Sequence, residues 1–183
     1  ERKLMEKTLQ ESEERFRGIL EHAPIGMATV SLSGEFLQVN SALCDIVGYS
    51  KEEMKGLNFQ AITHPDDLDL DLANTQRLLN GEIQSYQIEK RYIRKNGRVV
   101  WIQLTSSILR SGETPRYFIA QIEDITERQL FQEQIRQLAY YDTLTNLPNR
   151  RLLLDRMHHA LSQAKHHRRS MAIMFLDLDH FKQ

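Results

Sequence analysis

At 183 residues, 40% hydrophobic and 27% charged, the chain has the composition of a folded globular protein, not a disordered one. Its net charge of −1 removes any global electrostatic case for nucleic acid as a partner, and no apolar run approaches the ~20 residues of a membrane span. The charged N-terminus is no secretion signal, and a single cysteine, Cys44, excludes an internal disulfide, so a cytoplasmic location is expected. A chain that begins at Glu1 also suggests a piece of a longer protein.

Residues 1–20 predict a charged helix. Met5, Leu9, Ser12, Phe16 and Ile19 recur at alternating spacings of four and three, which fits the seam of a coiled coil and equally an amphipathic helix lying on its own domain. Pro24 ends it. Two short strands follow between Ile25 and Asn40, joined at Ser33-Gly34. Asn40 suits the N-cap of a helix Ser41–Val47, and Ser50 with Glu53 forms a capping box for a helical turn Lys51–Met54 that Gly56 ends.

Pro65 suits the first position of the next helix, with Asp66, Asp67, Asp69 and Asp71 in its first two turns. Four carboxylates this close fit a metal site, but complementarity to the helix dipole is the simpler expectation. His64 beside them reads as a turn-and-cap residue. Leu72, Thr75, Leu78 and Leu79 are expected to form the buried side of that helix, with Gly81 closing it.

Three long strands come next. Gln84–Lys95 meets Arg98–Arg110 through Asn96-Gly97, a strong hairpin signal, and Ser111–Pro115 turns into Arg116–Glu123. The order of elements predicts an α+β domain of about 100 residues. Strand alternation places Val100, Ile102, Leu104 and Ser106 on one face with Phe118, Ala120 and Ile122, joined by Ala28 and Val30 under the short helices. Met27, Thr29, Trp101, Gln103, Tyr117, Ile119 and Gln121 take the other face. That face is too aromatic to be left in water, so the N-terminal helix or a partner subunit is expected to cover it.

The stretch Asp124–Arg150 joins this domain to the C-terminal segment. Asp124 and Thr126 are both placed to cap a helix, and Leu130, Gln134, Ile135, Leu138 and Ala139 give it a short apolar stripe. A turn at Asn146–Arg150 leads into a second helix. His158, His159, His166 and His167 on that helix read as a solvated face and not as a zinc site.

Several of these pieces resemble a PAS domain with its C-terminal PAC motif: GYSKEEM (Gly48–Met54), the ITHPDD run (Ile62–Asp67), the RKNG hairpin (Arg94–Gly97), Trp101, and YFIAQIEDITER (Tyr117–Arg128). The resemblance implies a five-stranded antiparallel sheet with helices over one face. It also implies a pocket or filled core lined by Ala28, Val30, Ile102, Leu104, Phe118, Ala120 and Ile122. Asp124-Ile125-Thr126 matches the motif with which such domains pass a signal to an output helix. The ligand is unknown; haem and flavin are not supported, and the flavin motif around a reactive cysteine is missing at Cys44, which reads as core.

DTLTNLPNR (Asp142–Arg150) is similar to the opening motif of GGDEF domains, the diguanylate cyclase family, and FLDLDHFK (Phe175–Lys182) to that family's first metal-binding strand and phosphate turn. Such enzymes condense two GTP molecules into cyclic di-GMP with Mg²⁺. By resemblance, Asp177 and the Leu178 carbonyl face the metal, while His180, Phe181 and Lys182 approach the phosphates. An apolar run, MAIMFL, ending in Asp177 fits a carboxylate at the C-terminal end of a buried strand. The guanine-contacting residues and the signature turn are expected beyond Gln183, so the fragment itself is expected to have no cyclase activity.

The expected organisation is an N-terminal helix at 1–20, a PAS domain at 21–125, a linker helix at 126–140 and the start of a GGDEF domain at 141–183. The expected function is a sensory PAS module controlling a diguanylate cyclase in bacterial signalling. The expected partner is a second copy, held through the N-terminal helix, the outer sheet face and the linker helix. The alternatives are a non-enzymatic PAS scaffold with a degenerate GGDEF domain, or a parent with a downstream cyclic di-GMP phosphodiesterase.

Overall fold

Asn96-Gly97 is the turn that sets the sheet. Gly97 has a positive φ of 79°, and the Arg94 and Gly97 amides donate to Arg98 and Arg94 carbonyls, both at 2.8 Å. Glycine reaches that conformation without the steric cost a Cβ carries. The turn joins β3 (Ser85–Ile93) to β4 (Val99–Ser111), which pairs in turn with β5 (Thr114–Asp124). The structure, a computed structural model, describes residues 10–11, 14–15, 17–167 and 169–174. Within it the chain divides into two compact units, residues 1–129 and 130–183.

The first unit is a five-stranded antiparallel sheet in the order β2-β1-β5-β4-β3, with β1 at Gly26–Val30 and β2 at Phe36–Val39. β1 lies against β5, from Gly26 opposite Ile122 to Val30 opposite Phe118, so the two ends of the domain meet in the middle of the sheet. Four helices follow β2 and precede β3: α1 (Ser41–Val47), α2 (Lys51–Met54), α3 (Phe59–Ile62) and α4 (Pro65–Leu79). Of these, α3 has no counterpart in the sequence-based expectation; Asn58 caps it by accepting the Ala61 amide.

Asn40 does more than cap α1. Its Oδ1 accepts from the Leu43 and Met27 amides at 3.0 and 2.8 Å, and its Nδ2 donates to the Leu20 and Ile25 carbonyls at 3.0 and 2.8 Å. One buried side chain thereby ties helix, strand and N-terminal segment together. The Ser50–Glu53 capping box forms as expected on α2. His64 caps α4, its Nδ1 accepting the Asp66 amide at 3.3 Å, with Pro65 at the first helical position.

The face assignment holds. Ala28, Val30, Val100, Ile102, Leu104, Ser106, Phe118, Ala120 and Ile122 are all buried, packed with Leu43, Val47, Met54 and Ile62 from the helices. Each fully buried aliphatic side chain contributes roughly 1.5–3 kcal/mol. Two expectations about α4 do not hold. Leu72 is 39% exposed, and the inward position belongs to Asp71, 1% exposed. Asp71 therefore does not serve the helix dipole; it is buried against a cation on β3. The second hairpin is also tighter than expected, with Ser111 opposite Thr114 and Gly112 at the turn.

The N-terminal segment is helical over residues 17–21, and Glu21 pairs with Lys51 at 2.6 Å. Met5, Leu9, Ser12 and Phe16 lie outside the described residues. Arg17, Leu20 and Glu21 border an open groove of about 730 Å³ with Met27, Thr29 and Tyr117 of the outer sheet face.

α5 (Thr126–Tyr140) leaves the sheet and runs into the second unit, where α6 (Arg150–His166) follows a wrapped turn. Asp142 Oδ1 accepts from the Leu144 and Thr145 amides and the Thr145 hydroxyl at 3.2, 2.9 and 2.8 Å. Asn149 caps α6 and donates from Nδ2 to the Ala139 carbonyl at 2.9 Å. The polar positions of the opening motif thus hold a turn closed. Residues 171–174 of the expected strand carry no strand pairing.

Candidate functional site

Asp177, Leu178, His180, Phe181 and Lys182, the residues expected to hold Mg²⁺ and phosphate, lie outside the described residues. Among the described residues no group of three or more His, Cys, Asp and Glu side chains is placed to hold a metal. The informative sites belong to the first unit: a polar network in its core and the anchorage of its exit helix.

The network centres on Lys90. Strand alternation turns Tyr86, Ile88, Lys90 and Tyr92 of β3 inward, and Lys90 is 1% exposed. Its Nζ donates to Asp71 Oδ2 at 2.5 Å and to the Thr63 hydroxyl at 3.1 Å. The ammonium also lies 4.5 Å from the centroid of the Tyr92 ring. Tyr86 donates its hydroxyl to Asp71 Oδ1 at 2.8 Å, and Thr75 Oγ1 is 3.2 Å from the same hydroxyl.

A buried charge is tolerated only when paired and hydrogen-bonded, and here both members are. Burial draws the Lys90 ammonium below its ordinary pKa, and the Asp71 carboxylate opposes that shift. Burial also holds the Tyr86 phenol well above its ordinary value, reinforced by the Asp71 charge, so it remains a donor. Beside these groups lies a cavity of about 30 Å³, lined by Asp71, Thr75, Tyr86, Ser106 and apolar neighbours including Phe118. That is room for a water molecule or two, an order of magnitude below an ordinary small-molecule pocket.

On the far side of the sheet the exit motif is fixed at each of its three residues. Asp124 pairs with Arg94 at 3.0 Å and accepts the Thr126 amide at 2.9 Å. Ile125 is buried, and its amide donates to the Trp101 carbonyl at 2.9 Å. Thr126 Oγ1 accepts the Trp101 amide at 3.1 Å. The motif thus extends the β4 ladder past the end of β5. Next along α5, Arg128 donates to Glu89 at 2.7 Å and to Gln103 at 3.3 Å, and Gln129 donates to Glu89 at 2.7 Å. Beyond this anchorage Leu130, Phe131, Ile135 and Leu138 are each about 60% exposed or more.

Comparison with known proteins accounts for both halves. The family model of the PAS fold matches residues 36–122, and that of the diguanylate cyclase GGDEF domain matches residues 139–183. A PAS domain is followed here by the start of a GGDEF domain. The chain is 48% identical over 141 residues to the probable diguanylate cyclase DgcE of Escherichia coli, an alignment covering 76% of the chain and 13% of that relative. It is 29% identical over 152 residues to a diguanylate cyclase of Vibrio cholerae, covering 81% of the chain and 47% of the relative. The chain therefore spans less than half the length of either. Among solved structures, the PAS domain of a Colwellia psychrerythraea protein superposes with a TM-score of 0.58 at 18% identity, over 63% of this chain and 98% of that one.

GGDEF cyclases as a family use GTP and Mg²⁺, and PAS and GGDEF domains commonly dimerise. No helix among the described residues is long and apolar enough to cross a membrane. In the PAS unit the sequence-based reading missed Glu89, Lys90, Arg91 and the role of Asp71. A signal for Lys90 was present: it stands in phase with Tyr86, Ile88 and Tyr92.

Proposed function

We propose that the chain is the sensory and dimerising part of a diguanylate cyclase, in which the PAS unit controls a GGDEF domain through α5. The observation that carries this is the continuity of α5. It is pinned to the PAS sheet at Asp124, Ile125 and Thr126 and runs 15 residues to the GGDEF opening motif. In the proposed reaction each GTP, held in one half-site, attacks the α-phosphate of the other with its 3′ hydroxyl and expels pyrophosphate. Asp177 and the Leu178 carbonyl would hold Mg²⁺, and the backbone at His180 and Phe181 with Lys182 would hold phosphate. Bound there, Mg²⁺ would neutralise the triphosphate charge, and the protein's own task would be to bring two half-sites together.

That geometry makes dimer arrangement a rate control. The N-terminal helix, the outer face around Tyr117 and the exposed stripe of α5 are the proposed contacts, and the proposed location is the cytoplasm. The proposed domain limits are 21–125 for the PAS unit, 126–140 for the linker and 141 onward for the cyclase. The test is cyclic di-GMP synthesis by the full parent protein with α5 lengthened one residue at a time between Thr126 and Leu138. Each insertion turns the rest of the helix by about 100°, so activity should rise and fall with helical phase. Activity indifferent to phase would refute transmission through α5, and synthesis absent from every form would refute the cyclase assignment.

A further inference from the structure

β3 is an edge strand, yet its free edge is closed at Arg91. The Arg91 amide donates to Asp67 Oδ2 at 2.7 Å, and the Arg91 carbonyl accepts the His64 amide at 2.9 Å. The Arg91 guanidinium then grips both oxygens of Asp67, with Nε to Oδ2 at 2.9 Å and Nη2 to Oδ1 at 2.7 Å. Lys90, one residue earlier, holds Asp71 one helical turn further along α4. Glu89, one residue earlier again, divides its carboxylate between Arg128 and Gln129 in the first turn of α5.

Three successive residues therefore carry three separate anchors within about 7 Å of strand. Two hold α4 and one holds α5. A bidentate fork that includes the backbone amide cannot slide without moving the strand itself. The Glu89 latch is different. Both it and Arg128 are nearly half exposed, so the pair is weak and can open.

We propose that Glu89, Lys90 and Arg91 couple the position of α4 to the exit of α5, with Glu89 as the positioning residue whose latch opens when α4 and β3 move together. This deepens the regulation proposed above and rests on that reading for its biological output, but the coupling itself is measurable without turnover.

The experiment is amide hydrogen exchange on the 183-residue chain, read at Gln129–Glu133 of α5. Glu89→Arg and Arg128→Glu should each speed exchange there about three- to fivefold, the loss of one weak latch. The two together should restore it to within twofold, a rescue that a merely structural role does not predict. Asp67→Asn touches nothing on α5 and should nevertheless speed exchange at the same amides, with no further effect once Glu89→Gln is present. Should Asp67→Asn not fold, Arg91→Lys removes the fork and carries the same expectation. Failure of the double reversal to rescue, or unchanged α5 exchange when the α4 fork is broken, would overturn the proposal. A parent protein without cyclase activity would overturn the proposed function alone, because the exchange result stands apart from it.

Discussion

Removing one member of the core ion pair should cost far more than removing both. Lys90→Met keeps the length of the side chain and deletes its charge, leaving the Asp71 carboxylate 1% exposed with only the Tyr86 hydroxyl still donating to it. An uncompensated buried charge costs roughly 3–5 kcal/mol, a large share of the ~5–15 kcal/mol that holds a domain folded. Asp71→Leu strands the ammonium instead and should cost a similar amount. The double variant replaces both charges by apolar groups, and Tyr86 keeps Thr75 as a partner at 3.2 Å. Its cost should fall below that of either single change, because such exchanges are often near neutral. The assay is urea unfolding followed by the fluorescence of Trp101, the one tryptophan, which sits on β4 of the PAS unit. Additive costs in the double variant, or a Lys90→Met cost below about 1 kcal/mol, would refute the claim that the pair is desolvated and coupled.

Asp67 should contribute to the acid limb of stability. Hydrogen bonds from Arg91 hold its carboxyl below the ordinary 3.8. A depressed folded pKa contributes stability that is present above the unfolded value, about 4, and is lost as pH falls through the folded one. Asp67→Asn should therefore lower Tm at pH 7, with a decrement that shrinks as pH falls below the unfolded value; a decrement that stays constant as the solution is acidified would count against the ion pair. Asn40→Ala should cost more than the ~0.5–2 kcal/mol of an ordinary cap, because it also strands the Met27 amide and two carbonyls. Asn40→Asp keeps the acceptor but not the donors and should fall between; chemical denaturation ranks the three.

The framework of the PAS unit was legible because its signals are local. Asn96-Gly97 sets one hairpin, and once that register is fixed, alternation assigns Val100, Ile102 and Leu104 to the core. The caps at Asn40 and Ser50 depend on residues only three apart and were equally readable. Asp71 was not, because its partner is 19 positions away and a helix-dipole account was locally sufficient. Arg91 and Asp67 were hidden for the same reason: an aspartate that closes a sheet edge looks, in one dimension, like any acidic residue at a helix start. The metal and phosphate positions near Asp177 were expected from resemblance and from the apolar run that ends there, and they lie outside the described residues.

The anchorage of α5 bears on how such a module can signal at all. Moving a two-state equilibrium from one-tenth to nine-tenths populated takes about 2.6 kcal/mol. A single solvent-exposed ion pair contributes no more than about 1 kcal/mol, so neither the Glu89–Arg128 latch nor the Arg94–Asp124 pair could do this alone. Acting together, with the Glu89–Gln129 bond between them, they reach the required scale while each stays weak enough to break. The buried Lys90–Asp71 pair is poorly suited to that task, because opening it leaves two charges without water. Its place is to hold α4 and β3 in one register, so that a displacement of the helix is delivered to the half-exposed contacts at Glu89 and not dissipated in the core.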